Sequence, residues 1–163
     1  MPADLSDLVR VAPPGAAEIS RPNWDEAFAA LGHELPSDYV HTIDRYGAGR
    51  FDEYLWILAP GCEKPSYDLI LAAEERAESL EMLWKSGEPK PEELTDPDNR
   101  LIPWASTDNG EFVYWLARSG KSPDEWTVMV NEARGDEWEH HDMGCLEFIV
   151  STLSLFQPHT DAW

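Results

Sequence analysis

The densest set of chemically capable side chains in the chain is Asp136-Glu137-Trp138-Glu139-His140-His141-Asp142. On a β-strand, side chains alternate between faces. Glu137, Glu139 and His141 would then share one face and Asp136, Trp138, His140 and Asp142 the other, each face holding carboxylates and an imidazole. Zinc and manganese accept such mixed nitrogen and oxygen donors. Side chains two apart on a flat strand rarely converge on one ion without ligands from elsewhere, however, and His33, His41 and His159 stand at no ligand spacing. The segment therefore reads as a charged, solvated edge strand, a pattern that discourages sheet-to-sheet aggregation. No metal is expected.

Other motifs fall short of the chemistry they resemble. Arg118-Ser119-Gly120-Lys121-Ser122 has the tail of a phosphate-binding loop, but the glycine required five positions before Gly120 is Trp115, and Pro123 stands where a helix should begin. Gly47-Ala48-Gly49 follows a predicted helix instead of a strand and lacks the third glycine of a dinucleotide fingerprint, so it reads as a turn. There is no Gly-x-Ser-x-Gly elbow. Cys62 and Cys145 form neither a CxxC nor a ligand-spaced pair and read as reduced thiols. General acid–base work needs carboxylates whose pKa values are driven apart, and 32 Asp and Glu residues give no basis for choosing a pair. Trp56, Trp104, Trp115 and Trp126 fall in predicted strands and read as core. No catalytic residue and no cofactor follow, and the chain is expected not to be an enzyme.

The composition narrows the partners. The 163 residues carry 12 Lys and Arg against 32 Asp and Glu, a formal charge of −20. Such a surface repels phosphate and gains nothing from counterion release, which argues against direct binding to nucleic acid and to anionic membranes. Hydrophobic residues at 42% and aromatics at 11% are too many for a chain kept disordered by its charge, so it should fold. Met1-Pro2-Ala3-Asp4-Leu5 lacks the basic start and apolar stretch of a signal peptide, and a cytoplasmic location is expected.

The elements that must carry these residues follow from periodicity. Residues 1–22 are expected to hold a short helix, with Leu5, Leu8 and Val9 on one face, and a spacer broken by Pro13-Pro14-Gly15. Residues 23–163 form the remaining domain. Asn23 and Glu26 predict a capped helix over about 24–31 with a left-handed stop at Gly32, and Ser37 and Asp38 open another that ends at Gly47. Leu55 to Ala59 reads as a buried strand closed by Pro60-Gly61. A helix over about 67–84 should turn Ile70, Ala73, Ala77, Leu80 and Trp84 inward, and residues 87–100, rich in proline and acid, read as a long surface loop.

From Leu101 the period becomes two. Strands over 102–106 and 112–116 flank the turn at Asn109-Gly110, with further strands over 126–130 and 137–141 and a last helix over 145–156. The fold class is α+β: a single domain with a mostly antiparallel sheet of four to six strands, and N-terminal helices and a C-terminal helix packed on one face.

The order of elements and several short motifs resemble the SUKH superfamily of bacterial toxin-immunity proteins and related cell-wall regulators. The matching pieces are Trp24 through Leu31-Gly32, Leu35-Pro36-Ser37-Asp38-Tyr39 opening a helix that ends at Tyr46-Gly47, Leu101-Ile102-Pro103-Trp104-Ala105, Asp108-Asn109-Gly110-Glu111 with the strand after it, and the C-terminal helix. The layout is shared over residues 23–156. The resemblance implies a domain that binds another protein, with no catalytic set to carry over.

Many toxin effectors act on nucleic acid and have basic clefts, which an acidic protein can occupy with fast, steered association. From Asp124 to Asp142, seven acidic residues (Asp124, Glu125, Glu132, Asp136, Glu137, Glu139 and Asp142) face one base, Arg134, a local sum of −6. These residues are the expected partner-binding edge, with the acidic stretch from Glu92 to Asp98 as an adjunct. The expected function is neutralisation of a cognate toxin, a nuclease being one candidate. The alternatives are an adaptor or regulator on the same fold and, third, a metal-dependent enzyme.

Overall fold

The computed structural model describes residues 5–11, 22–46, 49–51, 55–61, 68–107, 110–118, 120–132 and 138–154. In chain order the elements are helices α1 (Leu5–Val11), α2 (Trp24–Leu31) and α3 (Ser37–Tyr46), strands β1 (Gly49–Phe51) and β2 (Leu55–Ile57), and helix α4 (Leu69–Lys85). There follow β3 (Arg100–Thr107), β4 (Glu111–Ala117), β5 (Thr127–Glu132), β6 (Trp138–His141) and helix α5 (Cys145–Ser154). Short 3-10 turns occupy Glu92–Thr95 and Pro123–Glu125. The strands form one six-stranded sheet in the order β1 to β6, every neighbouring pair antiparallel. The alternating sequence from Leu101 onward thus becomes a meander, extended by two short strands at the β1 end.

The signals at the helix ends act as their chemistry predicts. The Asn23 side chain accepts from the Glu26 amide, and Gly32 closes α2 with φ 86°, a left-handed conformation that only glycine adopts without strain. Gly49, assigned to a turn from the sequence, instead begins β1, where it pairs with Ile57.

Strand alternation sorts the sheet into two faces. Val113, Trp115, Val128 and Val130 point to a large core that also buries Leu8, Tyr39, Ile43, Leu146, Ile149 and Leu153 from α1, α3 and α5. A register shift between Pro103 and Ala105 inserts Trp104 as a bulge, so that Trp104 and Ala105 both join this core. Trp115 is its aromatic centre, stacked on Trp104 and meeting Tyr39 edge-on with ring centroids 4.8 Å apart. Trp104, Trp115 and Trp126 are buried as expected, whereas Trp56 is only half-buried.

The opposite face carries a smaller cluster of Leu94, Leu116 and Met129 with Trp84, Leu101 and Trp138. Helices were expected on one face only, but α4 covers this second face. It starts where the Leu69 amide donates a hydrogen bond to the Ala59 carbonyl and crosses to Trp84. Its register also differs from the expected stripe: Ala77 is exposed, and Arg76 turns inward, its Nε donating to the Tyr114 hydroxyl at 3.1 Å and its guanidinium lying 4.2 Å from the Phe112 ring centre. A strand face that offers a hydroxyl and a π-face accepts a cation where an apolar count would place alanine. The stretch 87–100 is likewise more than a surface loop. Its 3-10 turn drives Leu94 into the second-face cluster, 7% exposed.

Candidate functional site

Strand β6 is one edge of the sheet, paired among the described residues through β5 alone, with His140 opposite Met129 and His141 opposite Val128. Alternation works as the sequence implied. His141 lies on the main-core side, its ring 5.3 Å from that of Phe148, and Trp138 and His140 lie on the second face. The edge is therefore not uniformly solvated, because Trp138 packs against Tyr114 at 5.4 Å and seals the small cluster.

His140 does the joining. Its Nδ1 lies 2.9 Å from Glu93 Oε2 and its Nε2 2.7 Å from Thr127 Oγ1, with the imidazole 24% and the carboxylate 27% exposed. Glu93 sits in the 3-10 turn after α4, so the ring ties the sheet edge to the acidic stretch 92–98. The two acidic segments singled out from the sequence are thus neighbours in space. Glu93 falls within the acidic stretch read from the sequence, but its pairing with His140 has no signal there, since nothing in a local pattern links positions 93 and 140.

The seven predicted partner-binding residues separate into groups. Asp124 caps α3 from 87 residues away, its Oδ1 accepting from the Ser37 amide at 2.7 Å and the Ser37 hydroxyl at 2.8 Å. Glu125 completes a capping box with Ser122, whose amide donates to Oε2 at 3.1 Å. Both side chains remain exposed, so their charge faces solvent while an oxygen holds the chain. Glu139, 67% exposed, lies 3.5 Å from His141 Nε2, and Asp142 is exposed just past the strand. Glu132 ends β5 at the opposite end of the edge, on the order of 17 Å from Thr127 at ~3.3 Å per residue. Asp136 and Glu137 lie outside the described residues, as does Cys62.

A second distant cap locks the same end of the sheet. Asp38 Oδ2 accepts from the Leu146 amide at 3.1 Å, at the start of α5, and Oδ1 takes a weak bond from the Cys145 thiol at 3.6 Å. Burial, reinforced by the Asp38 charge, pushes that thiol well above its ordinary pKa, so Cys145 stays protonated and unreactive. A Cβ on Gly144 would stand 3.0 Å from Asp38 Oδ2, so a side chain there would press on the oxygen that caps this helix. Among the described residues, no group of three or more His, Cys, Asp or Glu side chains could hold a metal ion.

The molecule is a single α+β domain whose antiparallel sheet presents a charged edge, backed by helices on both faces. The family model described as SUKH_6, SMI1-KNR4 cell-wall, matches residues 23–156, and the chain belongs to that family. Its members are associated with toxin immunity or with regulators of the SMI1-KNR4 type, which suggests a protein partner. No curated protein and no solved structure matches the chain.

Proposed function

We propose that this protein is a cytoplasmic immunity protein that binds a cognate toxin effector domain and blocks it, without catalysis of its own. The observation that supports the reading is the His140–Glu93 bridge, which sets the acidic stretch 92–98 beside the β6 edge. A basic nuclease cleft is the surface it fits best. Opposite charge accelerates encounter, and carboxylates seated where phosphate would bind exclude the substrate. On this reading Glu132, Asp136, Glu137, Glu139 and Asp142 make direct contacts. Asp124 and Glu125 add to the field while holding their caps.

The test is capture from the native organism's lysate at low and high salt with mass spectrometry of the eluate. One stoichiometric partner with a basic effector domain, held more weakly at high salt and inhibited on binding, supports the reading. A spread of ordinary cellular proteins would move the assignment to the regulator reading, which the cell-wall description of the family favours.

A further inference from the structure

Most described cations are engaged. Arg10 pairs with Asp7, Lys85 with Glu81 at 4.0 Å, Arg76 with Tyr114, and Lys90 lies over Trp84 at 5.1 Å. Arg100 reaches the Leu31 carbonyl at 3.1 Å and the His33 ring. Arg118 and Lys121, in the turn between β4 and β5, are different. Like Arg45, neither side chain has a hydrogen bond, ion pair or ring contact among the described residues, and unlike Arg45 both line one cleft of about 310 Å³, together with Glu93, Asp96 and Asn99.

The acidic wall of this cleft is fixed in place. Glu93 is held by His140, the Asn99 side-chain amide donates to the Glu93 carbonyl at 3.0 Å, and Asp96 Oδ1 accepts from the Asp98 amide at 2.9 Å. The basic wall is set by its turn, in which Gly120 takes φ 77° and the Lys121 amide bonds the Arg118 carbonyl at 3.2 Å. Two cations left unpaired beside two anchored carboxylates, in a chain of net charge −20, form a local pattern that the overall field does not explain.

We propose that the cleft is a specificity notch for a protein partner: it takes a carboxylate side chain between Arg118 and Lys121, while a cation on the same segment meets Glu93 and Asp96. This rests on the protein-binding reading above and deepens it. A field of −20 attracts any basic surface and cannot choose among them. In the notch a purely cationic segment meets Arg118 and Lys121, and a purely anionic one meets Glu93 and Asp96. Only a segment of alternating sign satisfies both walls, and the wrong charge pattern is penalised as well as unrewarded. The volume lies at the small end of ligand-sized clefts and suits one or two side chains.

The test uses the full chain, ¹⁵N-labelled, titrated with blocked dipeptides that carry charge only on their side chains. Acetyl-Lys-Glu-amide should shift the amides of Asn99, Arg118, Gly120 and Lys121 with a dissociation constant on the order of millimolar. Acetyl-Lys-Lys-amide and inorganic phosphate should bind about threefold or more weakly, and the paired substitution Arg118→Ala with Lys121→Ala should abolish the shifts while Arg45→Ala leaves them. An unchanged core spectrum in the double variant checks that it is folded. The proposal is overturned if no shift localises to the cleft, if phosphate binds as well as the mixed dipeptide, or if the double variant still responds. A chain that captures a toxin yet ignores the dipeptide overturns the notch alone. One that binds the dipeptide but captures no toxin overturns the immunity reading alone.

Discussion

The two faces of the sheet are built on different principles. On the main face, Trp104, Trp115, Val113, Val128 and Tyr39 are fully buried against three helices, and the polar contacts there serve mainly to cap helix ends. On the second face the apolar cluster is small, and charged side chains are worked into it: Arg76 on Tyr114 and Phe112, and Glu93 through His140 to Thr127. The main face holds the fold together by burial, and the second attaches acidic surface to it by directed bonds. A domain that must present charge at a fixed place gains from this division, because the presenting segments are anchored without charge entering the main core.

Substitutions in the two clusters should therefore differ in size. Trp115→Ala removes the aromatic centre of the main core and should cost about 3–5 kcal/mol, enough to threaten a domain of ordinary stability. Met129→Ala on the second face should cost nearer ~2 kcal/mol, the low end for such truncations, because its cluster is smaller. Urea unfolding monitored by tryptophan fluorescence gives both values. Equal losses would erase the distinction between the faces.

The directed bonds of the second face can be tested by a double-mutant cycle. Arg76→Ala leaves the fully buried Tyr114 hydroxyl without its donor and should cost about 1–3 kcal/mol. Adding Tyr114→Phe removes the stranded group and should recover part of that loss. If the double variant is less stable than Arg76→Ala alone, the hydrogen bond is not what holds α4 on this face.

A smaller effect separates capping from partner binding at Asp124. Asn at this position can still accept from the Ser37 amide, so Asp124→Asn should change stability by less than ~0.5 kcal/mol, whereas Asp124→Ala should cost about 1 kcal/mol. If Asp124 also contributes to toxin binding, the Asn variant alone should weaken capture at low salt. Glu139→Lys has no cap to lose, so it should lower affinity and flatten the salt dependence with stability unchanged. An unchanged low-salt affinity would remove β6 from the interface.

Local patterns made the meander, the α2 caps and the alternation of β6 legible, because each depends on residues within a few positions of one another. What stayed hidden were the bonds that span the chain: Asp124 to Ser37, Asp38 to Leu146, and Glu93 to His140. The inward turn of Arg76 was hidden for a related reason, since an arginine counts as polar until a strand supplies the hydroxyl and ring that receive it. The notch had a different obstacle. In sequence Arg118 to Ser122 reads only as an incomplete phosphate loop, and the cleft it lines depends on Glu93 and Asp96 arriving from another element.

The main face also carries a pH-sensitive contact, at His33 on the rim of its core. Its ring meets Trp126 edge-on at 5.2 Å, its Nδ1 lies 2.9 Å from the Glu34 carbonyl, and its Nε2 faces Arg100. The geometry suits the neutral tautomer, with Nδ1–H donating to the carbonyl and Nε2 accepting from the guanidinium. Burial lowers its pKa below 6.5, the Arg100 charge acts in the same direction, and the Glu34 carbonyl partly opposes them. Between that lowered value and 6.5 the unfolded chain binds more protons than the folded one, so stability is full above 6.5 and falls as the pH drops through the folded value. His33→Gln removes the titrating group and should flatten this part of the pH–stability curve, read from urea midpoints on either side of pH 6.5. Parallel curves for the two proteins would mean that the His33–Arg100 contact does not depend on a neutral ring. The effect should be the smallest of the set, because the ring is only partly covered and water screens much of its interaction with Arg100.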